Sequence, residues 1–282
     1  MMSTVSVIIP CYNSGQTILR TIQSVQVQTY KNTEIIVVND GSTDVATIGI
    51  LKKLSNEIKI INQKNNGLSA ARNIGIKNSN GKYILPLDSD DYLLPSFIEK
   101  VIKKIKNEKC THVVFSDLYM FGDTEGGLIR NYNHFVQLFT NQLPYCLFFE
   151  KKIWNEIGGY DEGMKLGYED WEFNIRLGKN GYYPAKIDEA LFYYSVSSEG
   201  MMKSQSDKNY INILRYIRGK HKDIYTINRI YRTWKDWGNY PKPYPIIFYI
   251  FMFVATEYIP GDMYNYIYSK LSFLKQSART SE

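Results

Sequence analysis

Short apolar, β-branched runs alternate with helix-period segments along the first 120 residues. The apolar runs lie at 5–9, 34–39, 58–62, 83–87 and 111–117, and helical patterns fill the intervals at 15–28, 44–55, 68–77 and 95–106. A strand followed by a helix, repeating roughly every twenty-five residues, is typical of a mostly parallel sheet with helices on both faces. We therefore predict an α/β fold, in which ligands bind beyond the carboxyl ends of the strands.

The pattern changes further along the chain. Residues 119–142 contain several glycines and asparagines, which favour a hairpin or a long loop, and a further helix is expected at 169–179. Beyond about residue 200 the sequence turns to helix-period segments rich in Tyr, Lys and Arg. We predict an α/β domain over 1–200 and a basic, aromatic-rich helical region over 201–282.

Polar clusters follow the first, second and fourth predicted strands. They lie at 12–15, 40–44 and 88–91. Because the carboxyl ends of parallel strands meet at one edge of a sheet, the three loops are expected to converge on a single crevice. This crevice is the predicted binding site.

The third cluster, Asp88-Ser89-Asp90-Asp91, places three carboxylates within four residues. Like charges this close raise one another's pKa unless a cation neutralises them. Oxygen ligands suit Mg²⁺ or Mn²⁺, which commonly bind through one or two carboxylates together with substrate phosphates. The alternative is helix capping, because a helical pattern follows and a carboxylate at a helix start is favourable without any ligand.

Three more residues have both a functional and a structural interpretation. Asp40 follows a strand and accepts hydrogen bonds from a base or ribose, or else residues 40–44 are a βα turn that ends in an N-cap. Arg72 lies on a predicted helix. Either the N-terminus of this helix faces phosphates and Arg72 contacts them, or the helix is a capped surface helix and Arg72 is solvated. Asp170 opens a helix and shares a core-facing side with Phe173 and Leu177, so it is either a cap or a general base.

Composition narrows the class of protein. With 282 residues, 44% of them hydrophobic, the chain can bury a full core without disulfides or metals. Three widely spaced cysteines indicate neither a disulfide framework nor a zinc site. The N-terminus has no basic segment and no long apolar run, so we expect a cytoplasmic protein. Neither a P-loop nor a G-x-G-x-x-G turn is present, which removes the main support for those nucleotide-binding folds.

The net charge of +6 comes from the C-terminal region. Residues 201–282 carry 13 lysines and arginines against six acidic residues. The apolar run that starts at 244 has about a dozen residues, fewer than the roughly twenty that span a bilayer. The region is therefore expected to contact an anionic membrane surface, to pack on the first domain or to form a homodimer. No recognition motif for nucleic acid accompanies this charge.

Six segments occur together in one order and spacing. They are 7–13, 36–44, 66–73, 87–91, 158–161 and 169–171. In this combination the chain resembles the inverting glycosyltransferases of family 2, which have the GT-A fold and build bacterial polysaccharides and glycans. The resemblance covers roughly residues 3–200.

The resemblance implies a role for each matching position. Asp170 is the catalytic base, which deprotonates an acceptor hydroxyl. Asp90 is the metal ligand by its D-x-D register, with Asp88 and Asp91 as further candidates, and Glu169 and Trp171 lie in the acceptor region. The implied donor and nucleotide-binding residues are Pro10, Tyr12, Asn13, Asp40, Asn66, Arg72, Asp88, Ser89 and Asp90.

The resemblance also implies substrates and cofactors. The donor is a nucleotide-sugar, with UDP-sugars favoured, the cofactor is Mn²⁺ or Mg²⁺, and the acceptor is a glycan or lipid-linked glycan of O-antigen or capsule synthesis. Because the Q-x-x-R-W motif of processive synthases is absent, transfer of a single sugar is expected. The alternatives are a sugar nucleotidyltransferase, whose G-G-x-G-T-R stretch this chain lacks, and a non-catalytic binding or scaffold protein with the same fold.

Overall fold

The structure is a computed structural model that describes residues 3–108, 110–197, 209–238, 244–258 and 263. The chain divides into two compact units, Met1–Gly200 and Met201–Glu282. The first unit contains a nine-stranded sheet, and the described part of the second is helical.

The first four strands form the parallel half of the sheet, in the order β3-β2-β1-β4. All seven residues of β1 are buried, because this strand lies between two parallel neighbours and has helices on both faces. The predicted strands and helices of this half are confirmed. They are β1 (Val5–Cys11), α1 (Ile18–Gln26), β2 (Thr33–Asp40), α2 (Val45–Leu54), β3 (Lys59–Gln63), α3 (Leu68–Lys77) and β4 (Tyr83–Pro86).

The other half of the sheet is mixed. Strand β8 is antiparallel to β4 and β6, while β9 is parallel to β6 and antiparallel to β5. The hairpin expected within 119–142 is present as β6 and β7. The elements are β5 (Tyr92–Leu93), α4 (Phe97–Asn107), β6 (Val113–Gly122), β7 (Gly126–Leu128), α5 (His134–Gln137), β8 (Phe148–Glu150), α6 (Lys151–Ile157), α7 (Glu169–Lys179) and β9 (Ala185–Val196).

Strand β9 is the longest strand described, with twelve residues, and the sequence pattern did not predict it. Only Leu191 and Phe192 of the strand are buried, and charged and apolar residues do not alternate along it. Its pairing with β6 is also irregular, with register shifts on either side of Asp117. A half-buried strand normally shows a period of two, but the irregular pairing of β9 interrupts that alternation.

Two apolar clusters, one on each face of the sheet, form much of the core in the described part of the first unit. Val7 and Ile9 belong to the cluster that packs beneath α1 and α4. Ile8, between them in sequence, belongs to the cluster that packs beneath α3, α6 and α7. Successive side chains of a strand point to opposite faces, so one continuous apolar run supplies both clusters. These layers leave the carboxyl ends of the parallel strands uncovered for the loops that follow them.

The described part of the second unit contains three helices, α8 (Tyr210–Lys220), α9 (Ile227–Asp236) and α10 (Ile246–Tyr258). Arg215 Nε donates to the Thr256 carbonyl at 2.7 Å, and an Arg218 nitrogen donates to the Phe253 carbonyl at 3.1 Å. These side chains therefore tie α8 to the last turns of α10.

Within the described residues, none of the helices is long and apolar enough to cross a lipid bilayer.

Candidate functional site

Side chains join the three loops that follow β1, β2 and β4. Asn13 adopts a left-handed backbone conformation with a φ of 52°, and its Oδ1 accepts from the backbone amides of Thr43 at 2.8 Å and Asp44 at 3.1 Å. Ser89 Oγ donates to Ser14 Oγ at 2.8 Å. The predicted convergence of these loops on one edge of the sheet is therefore confirmed.

Asp40 fixes the turn that leads into α3. It is buried, and its carboxylate accepts from Gln63 Nε2 at 2.6 Å and from the backbone amides of Asn66 at 2.8 Å and Gly67 at 2.9 Å. Asp40 thus holds the backbone of residues 66 and 67 beside the end of β2. A base or ribose reaching this carboxylate would have to share it with these donors.

The remaining residues expected near a nucleotide differ in exposure. Tyr12 is 49% exposed at the mouth of the crevice, whereas Pro10 is buried within β1.

Asp44 is the N-cap of α2 and accepts from the Thr47 amide at 2.7 Å. Asp44 therefore has the structural role that was the alternative interpretation of the 40–44 loop.

The backbone of the acidic turn, residues 88–91, is held by helix α1. Thr21 Oγ1 lies within 3.0 Å of the Ser89 carbonyl and 2.7 Å of the Asp91 carbonyl. An Arg20 nitrogen donates to the Asp90 carbonyl at 2.6 Å. Because α1 holds the turn through its carbonyl groups, the side chain of Asp90 remains exposed in the crevice.

Asp91 has a different environment from Asp90. It is 1% exposed, its Oδ1 accepts from the Ser195 amide at 2.6 Å, and its Oδ2 accepts from the Tyr145 hydroxyl. Burial raises the pKa of Asp91 well above its usual value. The capping alternative for this turn is wrong, because α4 begins at Phe97 with Ser96 as its N-cap, and Asp91 instead ties the turn to the end of β9.

Arg72 links the acidic turn to helix α7. Its guanidinium donates to Asp88 Oδ1 at 2.7 Å and also to the Glu169 carboxylate. The guanidinium carbon lies 5.0 Å from the ring centroid of Tyr145 and 5.5 Å from that of Tyr160. Arg72 is 0% exposed, so the structure contradicts the expectation that it touches the nucleotide. Two carboxylates and two aromatic rings already surround its charge.

Two carboxyl groups of the crevice have pKa values shifted toward neutrality. Burial raises the pKa of Asp88 to about 6, against the opposing charge of Arg72. Burial and the adjacent charge of Glu169 raise the pKa of Asp170 to about 7. Asn141 Nδ2 donates to Asp170 Oδ2 at 2.7 Å, which fixes the orientation of that carboxyl. Asp170 is thus held in one geometry and titrates near neutral pH.

Glu169 and Trp171 flank Asp170 from within the protein. Glu169 is buried against Arg72, and Trp171 is fully buried with its Nε1 donating to the Gln137 carbonyl at 2.7 Å. The assignment of Glu169 and Trp171 to the acceptor region stays a prediction, and neither buried side chain is open to a ligand in this structure. Both side chains instead anchor the first turn of α7.

The acidic turn can supply oxygen ligands to a divalent cation. Asp88 is 25% exposed with Oδ1 bound by Arg72, and Asp90 is exposed beside it. Within the described residues there is no cluster of three or more His, Cys, Asp or Glu side chains that would hold an ion alone. Two carboxylates fit the way Mg²⁺ binds, with its remaining positions taken by water and substrate phosphates.

Several residues of the site carried no recognisable signal in the sequence. Tyr145 accepts from the Asp88 amide at 2.8 Å and donates to Asp91, which makes its hydroxyl a bridge across the acidic turn. Asn141 orients Asp170, and Arg130 and Tyr194 lie within electrostatic reach of the same carboxyl. None of the four belongs to a segment that carried the resemblance.

The sequence matches the family model described as glycosyl transferase family 2 over residues 6–172. The chain belongs to this family. An uncharacterised glycosyltransferase of Haemophilus influenzae is 38% identical to it over 256 residues, which cover 80% of this family 2 chain and 78% of that protein. The glycosyltransferase GlyA of Streptococcus pneumoniae is 34% identical over 194 residues, covering 65% of this chain and 28% of GlyA. This family 2 chain therefore corresponds to little more than a quarter of GlyA.

Solved structures show the fold of the family 2 chain. S. aureus TarS 1–349 in complex with UDP superposes with a TM-score of 0.58 at 21% identity, covering 77% of this chain and 65% of that one. The same TarS fragment in complex with UDP-GlcNAc gives a TM-score of 0.62 at 21% identity, covering 78% and 66%. The mixed sheet with its flanking helices is the GT-A fold, as the sequence predicted.

Proposed function

We propose that this family 2 chain transfers a single sugar from a UDP-sugar to a hydroxyl of a glycan acceptor, with inversion at the anomeric carbon. The observation that carries the proposal is the Arg72 ion-pair network, which brings Asp88 of the acidic turn and the first turn of α7, with Asp170, to one crevice. The proposal extends to the synthesis of a surface polysaccharide such as O-antigen or capsule, which the resemblance to family 2 implies.

Asp170 is the proposed general base. Its carboxylate would accept the proton of an acceptor hydroxyl while that oxygen attacks the anomeric carbon, opposite the departing nucleoside diphosphate. A pKa of about 7 keeps the group largely ionised at slightly alkaline pH and makes it a stronger base than an ordinary aspartate. The hydrogen bond from Asn141 to Oδ2 would hold the carboxylate in one orientation toward the acceptor.

The donor is proposed to bind over the loops after β1, β2 and β4. Exposed Tyr12 and buried Asp40 are assigned to the base and the ribose, and the UDP bound to TarS supports a uridine nucleotide as part of the donor. Asp90, with Asp88, would hold Mn²⁺ or Mg²⁺. Such a cation, when bound, offsets charge that develops on the leaving diphosphate. Arg72 is then a positioning residue for Asp88 instead of a phosphate ligand.

A donor screen tests this proposal. The protein is incubated with a panel of UDP-, GDP- and dTDP-sugars, with Mn²⁺ or with EDTA, and both thermal stability and release of nucleoside diphosphate are measured. We expect a UDP-sugar to raise the melting temperature in Mn²⁺ but not in EDTA, since a ligand stabilises in proportion to its affinity and concentration. Release of pyrophosphate from a sugar phosphate and UTP would instead identify a nucleotidyltransferase, and binding without turnover would identify a binding protein.

The acceptor is proposed to be lipid-linked, with the second unit in contact with the membrane surface. Helix α10 exposes an apolar stripe at spacings of four, three and four residues, formed by Ile247, Phe251, Val254 and Tyr258. Helix α9 exposes Arg229, Arg232 and Lys235. Apolar residues combined with neighbouring cations favour the surface of an anionic bilayer.

Vesicle flotation tests the membrane contact. We expect the protein to float with phosphatidylglycerol vesicles at low salt and to float less with phosphatidylcholine, and Phe251→Asp should reduce flotation. A Tyr12→Ala variant, changed in the first unit, serves as the control and should float as the wild type does. Absence of flotation together with a dimer in light scattering would favour a homodimer formed through this stripe.

A further inference from the structure

Arg130 is fixed beside the crevice by its backbone. It lies two residues after β7, and its amide donates to Asp117 Oδ1 at 2.7 Å. The same carboxylate oxygen pairs with Lys186 at 3.0 Å. The negative charge of Asp117 is therefore neutralised by Lys186. Asp117 accepts a hydrogen bond from the Arg130 amide and forms no ion pair with the Arg130 guanidinium.

The guanidinium of Arg130 is poorly compensated. Its Nε is buried and has no hydrogen-bond partner, and it forms no ion pair with any residue that the structure describes. Desolvation lowers the pKa of Arg130, while the negative charge of Asp170 acts in the opposite direction. Enclosing part of a cation without a hydrogen-bonded partner is costly. The rest of the Arg130 side chain is partly exposed, so an anion can reach the guanidinium and compensate its charge.

Arg130 lies near the proposed base, because the only carboxylate that acts on its guanidinium among the described residues is that of Asp170. Arg72 also acts on Asp170, but its own hydrogen bonds go to Asp88 and Glu169. Tyr194 lies near both Asp170 and the acidic turn, and burial raises the pKa of its hydroxyl, which stays protonated and able to donate. A guanidinium fork and a phenol together can bind the oxygens of a phosphate or carboxylate.

We propose that Arg130, assisted by Tyr194, binds an anionic group, a phosphate or a carboxylate, on the acceptor substrate. This assignment rests on the proposed transfer reaction and adds a determinant of acceptor choice. An anion held there would place its neighbouring hydroxyl next to Asp170. The enzyme would then prefer acidic acceptors to neutral ones of the same shape.

A binding experiment tests the site without turnover. The protein is saturated with UDP and Mg²⁺, and inorganic phosphate is added while the melting temperature is followed. We expect phosphate to stabilise the wild type and Arg130→Lys, but not Arg130→Gln. The matched control Arg232→Gln, an exposed arginine of α9, should respond as the wild type does. Equal responses of Arg130→Gln and the wild type would overturn the proposal.

Kinetics with paired acceptors separates the possible sources of the anion. Initial rates are compared for a methyl hexoside, its 6-phosphate and the matching methyl uronide, with the donor identified in the screen. Arg130→Gln should raise KM for the two acidic acceptors by about tenfold or more, the effect of one lost charged contact, and leave KM for the neutral one unchanged. A weaker affinity for UDP would assign Arg130 to the donor instead, and equal losses for all acceptors would also overturn the proposal. A wild type that turns over no donor would contradict the transfer reaction itself, while the phosphate experiment would still decide the anion site.

Discussion

The guanidinium of Arg72 donates to Asp88 across 2.7 Å with almost none of the arginine side chain exposed. The same guanidinium binds Glu169, ninety-seven residues further along the chain. One buried cation thus joins the turn proposed to bind the donor to the helix that carries the proposed base. Changes at this network should affect stability, while changes at Asp170 and Asp90 should affect transfer and metal binding.

Arg72→Met is expected to lower the free energy of unfolding by about 3–5 kcal/mol, because removal of one partner leaves uncompensated carboxylates buried. Urea unfolding measures the change. Lys100→Met, which breaks an exposed pair with Glu189, is the matched control and should change stability by about 1 kcal/mol or less. Similar losses in the two variants would show that the Arg72 network does not hold the site together.

Asp170→Asn is expected to reduce the rate of transfer by roughly 10²–10⁴-fold, the range for loss of a general base. Affinity for UDP in the presence of Mn²⁺ should change little, because the residue is assigned to the acceptor. Transfer assays and calorimetry measure the two quantities. Asp188→Asn, at a side chain that is 86% exposed, should leave both unchanged. Full activity in Asp170→Asn would remove Asp170 as the base.

The rate should depend on pH through Asp170. A base must be ionised to accept a proton, so kcat/KM should fall about tenfold per unit as the pH drops below a pKa of about 7. A profile from pH 5 to 9 measures it. An inflection near pH 4, the value of an unperturbed aspartate, would contradict the raised pKa.

The same pKa predicts an effect on stability. Because the pKa of Asp170 is higher in the folded chain than the unfolded value of about 3.9, ionisation of this group destabilises the fold as the pH rises from about 4 to 7. Asp170→Asn should therefore gain stability relative to the wild type between pH 5 and pH 8. Urea unfolding midpoints of both proteins at pH 5 and pH 8 measure this gain. The same difference in stability at both pH values would contradict the raised pKa of Asp170.

Tyr145→Phe is expected to lower the free energy of unfolding by about 2 kcal/mol, because the buried Asp91 carboxyl loses a hydrogen-bond donor and the Asp88 amide loses its acceptor. Tyr182→Phe is the control, since its hydroxyl bonds Glu156 at the surface, and about 0.5 kcal/mol or less is expected there. Equal effects would mean that the Tyr145 bridge adds no stability.

Asp90→Asn is expected to weaken Mn²⁺-dependent binding of UDP and to leave metal-independent binding unchanged. The turn itself should persist, since α1 holds it through backbone carbonyls. Calorimetry with and without EDTA measures the difference. Tyr182→Phe again serves as a control that should keep the wild-type dependence on metal. If UDP binding by Asp90→Asn still depended on Mn²⁺ as in the wild type, the metal ligand would be assigned to Asp88 instead.

The sequence predicted much of the parallel half of the sheet because each element there has a clean pattern. Helix α3 was expected at residues 68–77 and is Leu68–Lys77, and α7 was expected at 169–179 and is Glu169–Lys179. The mixed half was harder to predict. Strand β9 is irregularly paired and β5 has only two residues, so neither shows a period.

The sequence located the crevice better than it described individual contacts. The loops that contain Asn13, Asp40 and Asp88 meet as predicted, since strand direction alone brings them together. The burial of Arg72 and the environment of Asp91 depend on Tyr145 and Ser195, which lie more than fifty residues away in sequence. Contacts of that separation leave no local pattern in one sequence.

The acidic turn, residues 88–91, is held in place by α1, Tyr145 and β9 before any ligand arrives. An ion that enters such a preorganised site does not have to order the backbone first, so little conformational entropy is lost on binding. Its affinity should then depend mainly on coordination and dehydration. Exchange of Mg²⁺ for Mn²⁺ should accordingly change the enthalpy of nucleotide binding while leaving the heat capacity change nearly constant.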